Sequence, residues 1–136
     1  MKKIKENITL VSGEQQTLDI PDQPGHYYAL LKSEVLATDA QPPDAEGVSL
    51  LYNRITWYMT FEGWDNGKEF VDHGYAERTM PNGDRILYKF DGQSGEEEII
   101  SGTGKFKNIK GHGKYKGDFL YEGMWQGWHE WEYEIG

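Results

Sequence analysis

The last stretch of the chain carries the residue types best suited to a small-molecule site. At every second position it reads His129, Trp131 and Tyr133, with glutamates between them. Alternation with period 2 places these three side chains on one face of a strand and the glutamates on the other. An imidazole and a phenol are proton-transfer groups, and an indole adds an apolar wall. His129 and Tyr133 are therefore candidate catalytic residues, and Trp131 is a candidate ligand contact.

A second alternating stretch, Asn53 to Phe61, predicts another wall of the same interior. Its odd positions include Asn53, Trp57 and Met59, which we take as further candidate ligand contacts. A mainly apolar wall with a few convergent polar atoms is typical of small-molecule pockets. The same residues would also suit a packed core, because side chains can fill the interior of a small barrel. The pattern alone leaves both interpretations open.

The middle of the chain offers a third candidate group. His73 and Tyr75 share one strand face, and together with Tyr88 they could transfer a proton, His73 acting as a catalytic base. A surface or hydrogen-bonded structural histidine is the alternative for His73. Tyr75, Tyr88 and Tyr115 complete the candidate ligand contacts. If register slipped by one residue, any of these faces would be reversed.

Metal and phosphate chemistry are not predicted. None of the four histidines has a second histidine at ligand spacing, and cysteine is absent, so we expect neither a metal site nor a cofactor. Lysines between Lys105 and Lys116 alternate with glycines, but no helix follows to cradle a phosphate. We interpret them as outward lysines that pair with the glutamate-rich last strand.

Period-2 alternation recurs along the chain, and sustained helical periodicity is missing. The turn-forming sequences Pro21–Gly25 and Pro81–Asp84 separate strands at regular intervals. We predict one all-β domain over residues 1–136, a seven- or eight-stranded antiparallel barrel, with residues 1–20 as a peripheral strand or hairpin. The loop Asp39–Gly47 is either a lid or a solvated connection. The strands expected are Ile8–Ile20, His26–Thr38, Asn53–Phe61, Phe70–Met80, Arg85–Phe90, Glu97–Ser101, Gly113–Tyr121 and Gly123–Ile135.

The composition of the chain limits the classes of partner that we expect. The net charge of −9 would repel a polyanion, so nucleic acid is not an expected partner. The absence of an apolar run near the length of a membrane helix predicts no membrane association. With a leader sequence also missing, the cytoplasm is the expected location.

The glycine motifs of the second half carry a family resemblance. Gly83-Asp84-Arg85 opens a strand, Gly102-Thr103-Gly104-Lys105-Phe106 follows, and Gly111-His112-Gly113-Lys114-Tyr115 opens another. This order resembles small bacterial proteins of the allene oxide cyclase-like barrel superfamily, which also includes the dirigent proteins. The resemblance implies a lipocalin-like, eight-stranded barrel around a cavity for apolar molecules. It also implies isomerase or cyclase activity in some members, and assembly as dimers or trimers.

We therefore expect a barrel that binds a small hydrophobic or aromatic molecule, with isomerase or cyclase activity as an open question. The alternative is a non-enzymatic module whose exposed aromatics, Trp64 and Trp128 among them, bind carbohydrate or protein. A third option is an oligomeric structural protein whose interior is closed. The expected state is a homo-oligomer.

Overall fold

The computed structural model describes residues 2–11, 13–36, 53–64, 69–121 and 124–136. Within these ranges the chain is all-β, with a short 3₁₀ helix at Gly104–Phe106 between the seventh and eighth strands. The strands are β1 Lys2–Val11, β2 Glu14–Asp19, β3 Tyr27–Leu36, β4 Arg54–Gly63, β5 Glu69–Thr79, β6 Arg85–Asp91, β7 Glu96–Gly102, β8 Ile109–Tyr121 and β9 Met124–Ile135.

All nine described strands belong to one antiparallel sheet, in the order β1-β9-β8-β7-β6-β5-β4-β3-β2. The class and the antiparallel pairing are as predicted, and the structure divides the described chain into nine strands where seven or eight were expected. The expected element Ile8–Ile20 is two strands and begins at Lys2. It is not a hairpin either, because β1 pairs with β9 while β2 pairs with β3.

The connection between β1 and β2 forces this sheet to curl. Two residues separate these strands, and a trans backbone advances by at most about 3.8 Å per residue. β1 and β2 nevertheless lie at opposite edges of the sheet, which would be about 38 Å apart if the nine strands lay flat. The edges must therefore approach one another. β1 lies beside β3, and the Gly13 N–H donates to Ser33 Oγ at 3.3 Å.

The curled sheet encloses the core on its concave side. The inward faces predicted for β4 and β9 are confirmed, since Asn53, Ile55 and Trp57 are buried, as are His129 and Trp131. β1 is not peripheral, because it contributes buried side chains to the same interior. The buried apolar side chains that pack together are Ile4, Ile8, Ile55, Trp57, Ala76, Met80, Ile86, Tyr88, Phe90, Ile99, Phe106, Ile109, Trp131 and Tyr133.

Glycines on β8 make room for the aromatic rings of β9. In the register of the two strands, Gly111 lies opposite Tyr133 and Gly113 lies opposite Trp131. A Cβ atom at Gly113 would come within 2.6 Å of Trp131 Cδ1. The repeated Gly-x-Gly pattern therefore has two different causes. Its second copy lies in a strand beneath rings, whereas its first copy surrounds the 3₁₀ turn, where Gly104 adopts a positive φ of 57°.

The outer face of β9 is acidic and is partly neutralised by β1. Lys3 Nζ lies 3.2 Å from Glu132 and Lys5 Nζ lies 3.7 Å from Glu130. The predicted outward lysines of β8 also lie opposite these glutamates, with Lys114 paired in register to Glu130. The sequence pattern predicted the acidic face of β9 but not its ion pairs with the lysines of β1.

Two further expectations concern other parts of the chain. The loop Asp39–Gly47 lies outside the described residues. In the portion that the structure covers, no helix has the length and apolar character needed to cross a bilayer.

Substituting Gly113→Ala should destabilise the fold. The added methyl group would displace Trp131 or the backbone of β9, an overpacking cost of about 1–3 kcal/mol. Urea denaturation would measure this change. The control is Lys114→Ala on the exposed face of the same strand, which should change the free energy of unfolding by less than about 0.5 kcal/mol. Equal effects of the two variants would contradict the packing argument.

Candidate functional site

Four charged or titratable side chains meet inside the curled sheet. They are Glu6 on β1, Arg78 on β5, Glu97 on β7 and His129 on β9, and none is more than 3% exposed. Glu6 and His129 lie directly opposite each other in the β1–β9 register. Arg78 lies five strands away from Glu6 along the sheet, so only the curl brings their side chains together. We call these four residues the buried quartet.

Short polar contacts connect the quartet. Arg78 binds Glu6 through both terminal nitrogens, Nη1 donating to Oε2 at 3.3 Å and Nη2 donating to Oε1. His129 Nε2 lies 2.6 Å from Glu6 Oε1 and 2.5 Å from Arg78 Nη2. On the other side of the ring, His129 Nδ1 lies 3.2 Å from Glu97 Oε1. The imidazole therefore bridges the two carboxylates.

The charges of the quartet balance when His129 is protonated, with two carboxylates facing two cations. Burial alone lowers the pKa of His129, but the Glu97 charge and the hydrogen bonds to Glu6 and Glu97 outweigh it and raise the pKa. Burial likewise raises the pKa of Glu6, yet the Arg78 charge and the contacts with His129 leave that pKa below its usual value. The raised pKa of His129 and the lowered pKa of Glu6 both shift this pair toward its charged forms.

Aromatic rings surround the quartet. The Arg78 guanidinium carbon lies 4.8 Å from the Trp131 ring centre, a cation–π contact. Tyr88 packs edge-on against Trp131 with centres 4.8 Å apart, and Trp57 packs edge-on against Tyr88 at 5.8 Å. Burial raises the pKa of Tyr88 well above its ordinary value despite the opposing Arg78 charge, so this phenol stays protonated. The wall is apolar except for a few polar atoms.

Several buried polar atoms of this region have no hydrogen-bond partner among the described residues. They include the indole nitrogens of Trp57 and Trp131, the Nε atom of Arg78 and the Oε2 atom of Glu97. Three of these atoms are donors and one is an acceptor. Native proteins rarely leave buried polar atoms unpaired. Several polar atoms around these rings therefore lack the partners that a folded interior normally supplies.

The structure brings together most of the residues that the sequence singled out. The buried ones, in chain order, are Asn53 directly before β4, Trp57 on β4, Tyr88 on β6, and His129, Trp131 and Tyr133 on β9. Met59 and Tyr115 are half-buried and pack against the same core. Tyr115 donates its hydroxyl to the Asp91 carbonyl at 3.2 Å, and burial raises its pKa to about 12.

His73 and Tyr75 are the exceptions, because the structure places both on the outer face of β5. The predicted grouping of these two residues with Tyr88 is wrong, since Tyr88 lies on the inner face. On β5 the inward positions are Gly74, Ala76 and Arg78. On this strand the aromatic residues do not mark the inward face. The small residues face the interior, and the tyrosine is exposed.

The sequence interpretation missed Glu6, Arg78 and Glu97. Glu6 carried a usable signal, because it interrupts the buried alternation of Ile4 and Ile8. Arg78 follows the small residues of β5 and could have been found by the same reasoning. Glu97 could not, because it stands between two other glutamates and nothing in that run identifies the inward one.

Chemically, the arrangement offers one proton donor and one cation beside an aromatic wall. An imidazolium held between carboxylates can act as a general acid, and Arg78 can stabilise a developing negative charge. Within the described ranges, no group of three or more histidine, aspartate or glutamate side chains is placed to hold a metal ion.

Comparisons with family models, curated proteins and solved structures give no match to this chain. Any functional conclusion must therefore come from the site itself.

A second candidate surface lies on the outside of β2–β5. Tyr58 and Tyr75 are paired in register and are 45% and 48% exposed, and Leu30 on the neighbouring strand is 56% exposed. They border a groove of about 570 Å³ that also includes His73 and Lys32. The surface tryptophans expected for an outer site are engaged elsewhere. Trp64 stacks on His26, and Trp128 lies 4.9 Å from Lys5 Nζ.

Substituting Arg78→Met should destabilise the protein by about 3–5 kcal/mol, because it leaves a buried carboxylate without its cation. Adding Glu6→Gln should recover part of that loss, since Glu97 and His129 then balance each other. Denaturant unfolding of both single variants and the double variant would measure the coupling. Arg85→Met is the matched control on an exposed arginine and should have little effect. Additive single and double effects would contradict the charge balance.

Stability should also fall as the pH rises through the folded-state pKa of His129. Because folding raises this pKa above 6.5, the stabilisation is complete below that pH and is lost as the folded protein loses the proton. NMR titration of the histidine Cε1–H signals would locate the transition. His26 also has a raised pKa, caused first by its hydrogen bond to Asp22, so the denaturation series is best made in His26→Gln.

In the same His26→Gln background, His129→Gln should flatten the pH dependence of unfolding above neutrality. If the His129 signal titrates below 6.5, the proposed imidazolium is wrong.

Proposed function

We propose that this protein binds a small hydrophobic or aromatic molecule inside the curled sheet, against Trp57, Tyr88 and Trp131. The observation that carries the proposal is the set of buried, unpartnered polar atoms among these rings. They give the interior both the apolar wall and the few directed polar groups that characterise ligand pockets.

The free-energy cost of unpartnered buried polar atoms supports a bound molecule in the interior. Each buried polar group without a partner costs about 1–3 kcal/mol. Four such atoms would together offset a large part of a stability that is about 5–15 kcal/mol for an ordinary domain. A ligand or ordered water that supplies the missing hydrogen bonds removes this cost.

The barrel architecture belongs to this proposal. We take β1 and β2 as one strand, bent between Val11 and Glu14, that pairs with β9 on one side and β3 on the other. Counted in this way, the sheet becomes an eight-stranded barrel around the site, as the resemblance to allene oxide cyclase-like barrels implies. A homo-oligomer remains part of the same proposal.

The enzymatic form of the proposal is an isomerisation or cyclisation. His129 would donate a proton to one atom of the bound molecule and take a proton back from another, so that the isomer formed has gained none. Glu97, which contacts Nδ1, would keep the ring oriented. Confinement among rigid rings would hold a flexible substrate close to its reactive shape. Tyr133 is buried on the same face as His129 and belongs to the lining.

Titration with N-phenyl-1-naphthylamine, a neutral aromatic probe, tests the site. We expect saturable binding of one probe per chain, and Ala76→Leu should weaken it at least about 10-fold. Ala76 is fully buried and lies between Trp57 and Tyr88 in the register, so a larger side chain enters the proposed space. Tyr75→Leu, on the outer face of the same strand, is the matched control and should bind normally.

The opposite result would favour the outer groove. If Tyr75→Leu and Tyr58→Leu lose binding while folded Ala76→Leu retains it, the aromatic surface of β4 and β5 is the site. That surface supports the second candidate function, a non-enzymatic module that binds carbohydrate or protein. Its distinguishing observation is the pair of exposed, register-matched tyrosines. Circular dichroism of each variant separates lost binding from lost folding.

A further inference from the structure

We infer that His26 is a pH-sensitive clamp between the turn that follows β2 and the end of β4. While its ring carries two protons, it holds the turn against β4, and loss of one proton releases the turn. The clamp lies outside the interior site, so it goes beyond the proposed function and stands or falls independently of it.

The clamp consists of four side chains at one end of the sheet. His26 directly precedes β3, and its Nδ1 atom lies 2.5 Å from Oδ1 of Asp22 in the same turn. Its Nε2 atom lies 2.5 Å from Oε1 of Glu62 on β4. Trp64, directly after β4, stacks on the imidazole with ring centres 5.0 Å apart and planes inclined by 8°. The ring therefore joins the turn to a residue 36 positions further along the chain.

Both polar neighbours of the ring are hydrogen-bond acceptors. Among the described residues, the charged groups in contact with His26 are the carboxylates of Asp22 and Glu62. Their side chains are 56% and 28% exposed, so water keeps both ionised at neutral pH. A neutral imidazole has a single N–H, whereas an imidazolium has two. A ring held between two carboxylate oxygens therefore needs both protons to donate to both partners.

The same contacts determine the direction of the pH dependence. The hydrogen bonds to Asp22 and Glu62 raise the pKa of His26 above 6.5 and outweigh the opposite effect of burial. The hydrogen bond to His26 also lowers the pKa of Asp22. Because folding raises the pKa of the histidine, the clamp is closed below that pKa and opens as the pH rises through it. A cationic ring also gains attraction from the face of Trp64, which a neutral ring loses.

Loss of one proton converts an attractive contact into a repulsive one. If Nδ1 keeps its proton, the lone pair of Nε2 faces Glu62, and the link between the turn and β4 is lost. If Nε2 keeps its proton, the lone pair of Nδ1 faces Asp22 within the turn. All six residues of β2, which leads into this turn, are exposed, so few buried contacts oppose its opening. The turn is therefore the part that moves.

The experiment measures NMR hydrogen exchange of the full chain as a function of pH. The reporter is the Ile20 amide, which donates to the His26 carbonyl at 2.8 Å across the turn. In the opened turn the histidine returns to its ordinary pKa of 6.5. The protection factor of Ile20 should therefore fall about 10-fold for each unit by which the pKa of His26, measured by NMR titration, exceeds that value. The internal control is the Met80 amide, which donates to the Asp84 carbonyl at 2.8 Å across a turn without histidine.

Three variants assign the effect to named side chains. His26→Gln should abolish the pH dependence of Ile20 protection relative to Met80. Glu62→Gln removes a charge at nearly constant shape, so it should lower the pKa of His26 and reduce the fall in Ile20 protection in the same proportion. Glu34→Gln makes the same change at an exposed position of β3 and is the matched control, which should leave both quantities unchanged.

Three results would overturn the clamp. One is a His26 signal that titrates at or below 6.5. Another is an Ile20 protection factor whose pH dependence is the same in His26→Gln as in the wild type. The third is a fall at Ile20 that only matches the fall at Met80, because that would be a loss of global stability and not a local release. None of these results affects the interior site, which is tested by binding of N-phenyl-1-naphthylamine.

Discussion

The charge balance of the buried quartet is the interaction on which the interior depends. Two glutamates, an arginine and a histidine have left water together, and their polar groups contact one another. Such networks contribute little net stability compared with apolar residues, but removing one member is costly. The quartet therefore fixes which side chains can stand together inside the sheet.

The quartet in turn depends on the curvature of the sheet. Its members come from β1, β5, β7 and β9, and no two of these strands are adjacent except β1 and β9. The short connection between β1 and β2 brings the two edges together and so determines which side chains can meet across the interior. Small residues on β5 and β8 leave room for the rings of β6 and β9. Packing and polarity are thus consequences of one topological constraint.

The sequence predicted the class, most strand positions and the inward faces of β4 and β9, because alternation there is uninterrupted. The prediction failed at positions where an aromatic side chain faces solvent or a charged side chain faces the interior. Tyr75 looked like a pocket residue but is exposed, and Arg78 looked like a surface residue but is fully buried. The distances that define the site join residues remote in sequence, and local periodicity contains no information about such pairs. His129 and Asn53 were placed inside by alternation, and Glu6, between buried isoleucines, was a further sign of a polar interior.

The pairing of the first strand with the last affects how the molecule is made. The imidazole of His129 meets a carboxylate 123 positions earlier in the chain. During synthesis β1 leaves the ribosome long before β9, so its edge and its inward carboxylate wait without their native neighbours. Contacts of such long range slow folding, and an unpaired strand edge invites association with other chains. The alternating lysines Lys3 and Lys5 on β1 would discourage that association until the last strand arrives.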